Sequence, residues 1–382
     1  MKALGSRFKI SGIRKLVDIS KQLNLLRRNI PVDNSFRFLV VSTTGIGDTL
    51  WGTPAIRALR ETFAQSYIGV LTNPSGFEIL KENPDIDDIF IFRREAKGYF
   101  LLPGLLKELK KKNIDTVFVF HASDRIIWPI CFFTGATEII GIDGQNKGLD
   151  FILSRALAPQ DDIHGIEKRL EIVREVKAYA RHLKISFYLT NKERTTAGSF
   201  LENNGMNKDE LLIGLHPGAQ KPFKCWPSKK FIALGRILTE KLCCRIIVTG
   251  NAKERMLVDE VASGIRGAIH AAGKLSLRET AAVIEKMHVF ITNDTGPMHI
   301  AFALGTPTIA LFSPTDPRLC GPYNAESSAV IAKPTVCSPC IGKNCQKSFC
   351  MEQITVGEVL EKAESLLTIN AGNYNKNTPI DH

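Results

Sequence analysis

Asn293-Asp294-Thr295-Gly296-Pro297-Met298-His299 lies between the apolar run Val289-Phe290-Ile291-Thr292 and the helix-forming run Ile300-Ala301-Phe302-Ala303-Leu304. A β-branched run, a polar turn with Gly, then Pro at what would be a first helical position predict strand, loop and helix start. Free amide N–H groups and the positive end of the helix dipole make such a junction an anion site, suited to a phosphate or diphosphate. Asp294, Thr295, Gly296 and His299 are therefore expected at the carboxyl end of a strand, where open α/β sheets bind ligands.

The same alternation extends outward from this stretch. In the first half, strand-like runs at Phe36–Ser42, Tyr67–Leu71, Ile89–Phe92 and Thr116–His121 are interleaved with helical periodicity at Pro54–Phe63 and Leu101–Lys112. The charged segment Glu167–His182 reads as a long closing helix. In the second half, strands are expected at Leu211–Leu215, Cys244–Thr249, Ala268–Ala271, Val289–Thr292 and Thr308–Phe312. Helices are expected at Lys229–Lys241, Glu254–Ile265, Leu277–Lys286, Met298–Leu304 and Ile354–Leu367. Repeated βα units predict parallel sheets covered by helices. At 382 residues the chain exceeds what one core usually supports, so the expected fold class is α/β with two doubly wound, Rossmann-like domains and a cleft between them. The limits read from composition are an extension at 1–33, a first domain at 34–190, a polar linker at 191–210, a second domain at 211–350, and a closing helix and tail at 351–382.

Three further loops fall at strand ends. Thr43-Thr44-Gly45-Ile46-Gly47-Asp48 follows the first strand, where Gly45 and Gly47 allow a tight turn and close ligand approach and Asp48 lands near a helix start. A dinucleotide fingerprint is only half met, because the third glycine position is Leu50 and the second strand ends in Asn73 instead of a ribose-binding acid. Asp48 is open to two readings, helix N-cap or catalytic carboxylate. His216-Pro217-Gly218-Ala219, followed by Lys221-Pro222-Phe223-Lys224-Cys225-Trp226-Pro227, is the counterpart in the second domain; its lysines either neutralise a diphosphate or are solvated loop residues. In Thr249-Gly250-Asn251-Ala252-Lys253-Glu254, Glu254 either accepts from ribose or sugar hydroxyls or complements its own helix dipole.

Charge and cysteine content narrow the partners. Fifty Lys+Arg against 39 Asp+Glu give +11, which favours anionic partners. Part of the excess sits between Met1 and Ile30, where apolar residues recur at near-helical spacing; the segment reads either as an amphipathic helix on an anionic membrane surface or as a solvated helix packed on the domain. No uncharged apolar run approaches the roughly 18 residues of a membrane span and no secretory signal is visible, so a cytoplasmic body is expected. Nine cysteines then imply reduced thiols, four of them clustered as Cys337-x2-Cys340-x4-Cys345-x4-Cys350. That cluster is compatible with a bound metal, but it lacks the second C-x2-C pair of zinc ribbons, and the preferred reading is structural thiols or occasional disulfides with no metal.

With these motifs in order, the chain resembles the heptosyltransferases of lipopolysaccharide synthesis, glycosyltransferase family 9. The resemblance spans about Phe36 to Leu367 and rests on Gly47-Asp48 with Thr53-Pro54, His216-Pro217-Gly218-Ala219, Lys224-x-Trp226-Pro227, and Asp294-Thr295-Gly296-Pro297-Met298-His299 followed by Gly305-Thr306-Pro307. It implies a GT-B fold and inverting transfer of heptose from an ADP-sugar without a cofactor or a required metal. By position, it implies Asp48 as general base, Lys224 on the donor phosphates, and Asp294, Thr295, Gly296 and His299 as the donor loop. It further implies Gly218 and Ala219 at the diphosphate, Glu254 near the nucleoside, and Leu275 lining the base pocket; Gly45 and Gly47 are expected among the substrate-binding residues from their place in the Asp48 loop. The implied partners are the ADP-sugar, a lipid A–core or other anionic glycan acceptor, and the inner face of the cytoplasmic membrane. Two other classes compete: a nucleotide-dependent oxidoreductase or epimerase on the same scaffold, and a non-catalytic binder of anionic lipid or nucleic acid. The incomplete dinucleotide fingerprint counts against the oxidoreductase, and the lack of a nucleic-acid motif or aromatic-basic stripe counts against nucleic acid as a partner.

Overall fold

Runs such as Phe38-Leu39-Val40-Val41, each at most 1% exposed, can be buried on both faces only in a parallel sheet covered by helices, and two such sheets form. The computed structural model describes residues 36–94, 100–207, 209–324, 327–337, 340, 345–347 and 349–374, together with 11, 12, 14, 15 and 18. The amphipathic extension at 1–33 lies almost wholly outside the described residues. The chain divides into two units, Met1–Ser186 and Phe187–His382.

The first unit contains β1 (Arg37–Ser42), α1 (Ile46–Trp51), α2 (Thr53–Thr62), β2 (Tyr67–Thr72), α3 (Pro74–Leu80) and β3 (Asp88–Ile91). It continues through α4 (Leu102–Lys111), β4 (Thr116–His121), α5 (Ile127–Phe133), β5 (Glu138–Ile142), β6 (Arg155–Leu157) and α6 (Gly165–Arg174). Its strands pair in parallel in the order β3-β2-β1-β4-β5-β6. The order reverses direction between β1 and β4, which is the switch point where doubly wound folds bind ligands.

The predicted helix Glu167–His182 is corrected to α6, which stops at Arg174. Lys177 takes the left-handed conformation (φ 60) and the Ala178 N–H turns back to Val173 O at 3.3 Å, a helix-ending arrangement. The following chain runs irregularly along α2, where Arg181 N donates to Glu61 Oε2 and Ser186 N to Thr53 Oγ1, both at 3.0 Å.

The second unit opens with α7 (Asn191–Asn203), followed by β7 (Leu212–His216), a 3-10 turn at Pro222–Lys224, α8 (Ser228–Leu242), β8 (Arg245–Val248) and a second 3-10 turn at Ala252–Glu254. After α9 (Arg255–Ser263) come β9 (Ile269–His270), α10 (Leu277–Glu285), β10 (Val289–Asn293), α11 (Gly296–Leu304) and β11 (Thr308–Phe312). The unit closes with α12 (Pro317–Cys320), β12 (Ser328–Ala332), α13 (Phe349–Glu352) and α14 (Val356–Tyr374). Its sheet order is β12-β11-β10-β7-β8-β9, the same winding as the first unit read from the other edge, with its switch point between β7 and β10.

Two composition-based limits differ from the structure. Residues 191–210, read as a linker, carry α7, whose N-terminus is fixed by a capping box between Thr190 and Glu193. Glu193 pairs with the buried Arg278 of α10, and Arg194 with Glu285 at 2.8 Å, so this helix belongs to the second unit. Ile354, Val359, Ala363 and Leu366, assigned to a separate closing segment, are part of the same apolar core as β7, β10 and β11. Each such side chain, fully buried, contributes about 1.5–3 kcal/mol.

Candidate functional site

The loop after β1 is built for close approach at the first switch point. Gly45 is the N-cap of α1 and makes no side-chain cap bond, so Asp48 is not the cap but stands inside the first turn. The loop is braced from β2: Asn73 Nδ2 donates to Thr43 O at 3.1 Å and also to Thr44 O, while its Oδ1 caps α3 by accepting from Gly76 N at 2.8 Å. The position where a dinucleotide enzyme places its ribose-binding acid is thus spent on shaping the Asp48 loop.

Asp48 meets a residue that sequence reasoning missed. Arg169 Nη2, on α6, donates to Asp48 Oδ1 at 2.8 Å, and Arg169 Nη1 donates to Gly165 O at 2.7 Å. The Arg169 side chain is 6% exposed and that of Asp48 is 30% exposed. The guanidinium also lies 5.2 Å from the ring centre of Trp51. Burial lowers the Arg169 pKa, and the Asp48 charge and hydrogen bond oppose that shift. His121, at the end of β4, keeps solvent access, yet its crowded surroundings desolvate the ring and lower its pKa below 6.5; Asp48 pulls the other way, and Arg169 and Lys147 add to the lowering. His121 is therefore neutral at pH 7.

In the second unit the three expected loops converge on the switch point. Lys224, on the 3-10 turn after β7, pairs with Asp294 Oδ2 at 2.5 Å, and the same oxygen accepts from Thr315 Oγ1 at 2.7 Å. Asp294 precedes α11, whose N-cap is Thr295 in extended conformation without a side-chain cap bond and whose first turn holds Gly296 and Pro297. In that turn Met298 N donates to Thr295 O at 3.1 Å and Pro297 has no N–H, which leaves the Gly296 N–H for another acceptor. His299 is 5% exposed, with its ring edge-on to Phe302 at 6.1 Å.

Asn293 ties these loops together and was also missed as a site residue. Its Oδ1 accepts from Trp226 N at 3.0 Å, and its Nδ2 donates to Pro217 O at 2.9 Å and Gly218 O at 3.3 Å. One fully buried side chain therefore sets both the turn bearing Lys224 and the loop bearing Gly218 and Ala219. A local signal existed, since a polar residue closing a strand beside a Gly-Pro helix start has backbone groups to satisfy.

Glu254 fills the space over Gly218: a Cβ built at residue 218 would come 2.1 Å from Glu254 Oε1. The other carboxylate oxygen is held by Asn251 N at 2.8 Å and Asn251 Nδ2 at 2.6 Å. Glycine at 218 is thus a packing requirement set by Glu254. His216, 4% exposed, sits 3.0 Å from Thr249 Oγ1; burial lowers its pKa and the Glu254 charge partly opposes this. Leu275 lies half-buried in the loop that leads from β9 to α10.

Cys337, Cys340, Cys345 and Cys350 are free thiols, and among the described residues no group of three His, Cys, Asp or Glu side chains is placed to hold a metal ion. Also among the described residues, no helix is long and apolar enough to cross a membrane.

The chain is similar to known proteins. The chain is 27% identical over 283 residues to lipopolysaccharide heptosyltransferase 3 of Escherichia coli K12, covering 71% of this chain and 80% of that protein. Its fold matches a glycosyl transferase family 9 structure from Veillonella parvula with a TM-score of 0.77 at 23% identity, covering 87% of this chain and 97% of the other. It also matches the E. coli ADP-heptose LPS heptosyltransferase II structure at a TM-score of 0.74 and 20% identity, covering 88% and all of the two chains. Two Rossmann-like units of the GT-B class are thereby the shared architecture. The model of glycosyltransferase family 9 (heptosyltransferase) matches residues 104–350, and the chain, a glycosyltransferase, belongs to that family.

Proposed function

We propose that this enzyme transfers heptose, or a closely related sugar, from an ADP-sugar to a lipopolysaccharide-core or similar anionic glycan acceptor, inverting the anomeric centre. The observation that supports this most directly is the pairing of Lys224 and Asp294 beside the Gly296 amide at the start of α11, at the second unit's switch point. Lys224, the Gly296 amide and the positive end of the helix dipole would stabilise the negative charge that grows on the leaving diphosphate, where preorganised donors act most strongly. Gly218, Ala219, Thr295, Gly296 and His299 line the same strand ends, with Glu254 and Leu275 towards the nucleoside.

The first unit would supply the base. The acceptor hydroxyl oxygen bonds to the anomeric carbon while the carbon–oxygen bond to ADP breaks; ADP leaves with the electron pair and Asp48 takes the hydroxyl proton. One displacement gives inversion. No metal is invoked, because Lys224 and the N-terminus of α11 carry the counter-charge. Catalysis at the inner face of the cytoplasmic membrane, where a lipid-linked acceptor would be presented, completes the reading.

The test is transfer from ADP-heptose to a deacylated inner-core oligosaccharide, with product stereochemistry read by NMR. Asp48→Asn should bind ADP as wild type does and lose about 10²–10⁴-fold in transfer rate. Undiminished transfer by that variant removes Asp48 as the base, and transfer from UDP- or GDP-sugars in preference to ADP-heptose overturns the donor.

A further inference from the structure

We infer that Arg169 is a positioning residue, fixing Asp48 through Oδ1 so that Oδ2, beside Gly45, is the atom that takes the acceptor's proton. The inference rests on the reading of Asp48 as the base.

A buried guanidinium is costly unless its donors are paired, and here both terminal nitrogens are paired while Nε is buried without a hydrogen-bond partner. One terminal nitrogen is spent on Gly165 O and the other on Asp48 Oδ1. The Trp51 ring lies over the guanidinium, 5.2 Å from its carbon, within cation–π range, and the arginine side chain is only 6% exposed. Gly165 has to be glycine, because a Cβ there would stand 2.4 Å from the Trp51 ring. Trp51 on α1 and Gly165 on α6 therefore hold Arg169 in one orientation, and Arg169 in turn holds one oxygen of a carboxylate 121 positions earlier in the chain.

The two oxygens of Asp48 are left unequal. Oδ1 is bound, whereas Oδ2 takes no hydrogen bond among the described residues and lies 3.9 Å from where a Gly45 Cβ would be. Gly45 is exposed and Asp48 half-buried, so the approach to Oδ2 is open at the carboxyl edge of the sheet. An ion pair serving stability alone would favour closing both oxygens. Leaving one open and one clamped is what proton abstraction in a fixed geometry requires.

The experiment uses the full chain with ADP-heptose and the deacylated inner-core oligosaccharide, comparing wild type, Arg169→Lys, Arg169→Gln, Asp48→Asn and the Asp48→Asn/Arg169→Lys double variant. Lysine keeps the charge and stem but cannot reach both Gly165 O and Asp48 in the guanidinium's plane. Melting curves and ADP binding establish that each variant folds; should Arg169→Gln not fold, Arg169→Lys carries the test. The expected result for Arg169→Lys is a kcat lower by roughly 10–100-fold with donor KM unchanged. Its loss should disappear in the Asp48→Asn background, where there is no base to position. Wild-type kcat in Arg169→Lys, or a loss that multiplies with that of Asp48→Asn, overturns the inference while leaving Asp48 as base. Full activity of Asp48→Asn alone overturns both.

Discussion

Removing the Asn293 side chain should be among the most damaging single changes in the second unit. Asn293→Ala strips the acceptor from Trp226 N and the donor from Pro217 O, bonds of 3.0 and 2.9 Å at a fully buried position, together with a weaker 3.3 Å contact to Gly218 O. A buried polar group left without a partner costs about 1–3 kcal/mol, so the two stronger bonds imply a loss of roughly 2–6 kcal/mol. For a unit of this size, Phe187–His382, each kcal/mol lowers the melting midpoint by about 2–4 °C, so the predicted fall is on the order of 4–24 °C. Differential scanning calorimetry of the full chain reads this in the transition of the second unit. Asn293→Asp is the informative control: it keeps an acceptor for Trp226 N but sets a carboxylate oxygen against Pro217 O, and should be no more stable than the alanine variant. A midpoint within about 2 °C of wild type for Asn293→Ala would show that water or backbone adjustment satisfies these groups, and the bracing role would be refuted. ADP binding should weaken in parallel, because the same side chain sets the Lys224 turn and the Gly218 loop.

Three other outcomes follow from the geometry. Gly218→Ser should push Glu254 from its place against residue 218 and weaken ADP binding; in an Glu254→Ala background the same substitution should have little further effect, and simple additivity of the two by calorimetry would argue against the contact. His216 has a folded pKa below its ordinary 6.5, so the unfolded chain binds a proton that the folded one does not; the second unit should lose stability as pH falls below about 6.5, and urea titrations should show this loss reduced in His216→Gln. Dialysis against EDTA should leave transfer unchanged, whereas a loss restored by one divalent metal would require a cation in the reaction.

Glu193 shows how stability and sequence reading connect. Burial alone would raise its pKa, but the Arg278 bond and the capping bonds with Thr190 outweigh burial and bring it to about 2. The stability it contributes is present above about 4.5, its ordinary value, and is lost as pH falls towards 2.

Sequence periodicity was enough for elements that are apolar and buried. Thr116–His121 and Thr308–Phe312 form strands with the expected bounds, because uninterrupted β-branched and aromatic runs suit a sheet covered on both faces. Helix α7 was misread because its surface is mostly polar, with only Ala197 and Leu201 buried; the Thr190-x-x-Glu193 capping box was the local signal to read. The four loops at strand ends were legible from Gly, Pro and polar punctuation. The partners of their side chains were not: Arg169 sits in the middle of an ordinary-looking helix, and nothing in its neighbourhood in sequence points to Asp48. Asn73 and Asn293 were visible as residues, but their work of bracing loops appears only once strands distant in sequence lie side by side.

The pairing of Arg278 with Glu193 bears on where this chain could be cut by an experimenter or joined by a gene fusion. Arg278, 1% exposed, is bonded to both oxygens of Glu193 and to Tyr188 O, and lies over the Phe187 ring. A fragment beginning at residue 211 would keep the arginine but discard these partners and α7, baring the face of α10 that they cover. A fragment beginning at Phe187 keeps the whole set. The boundary between the units lies before the helix, so a module that keeps the second unit whole begins at Phe187.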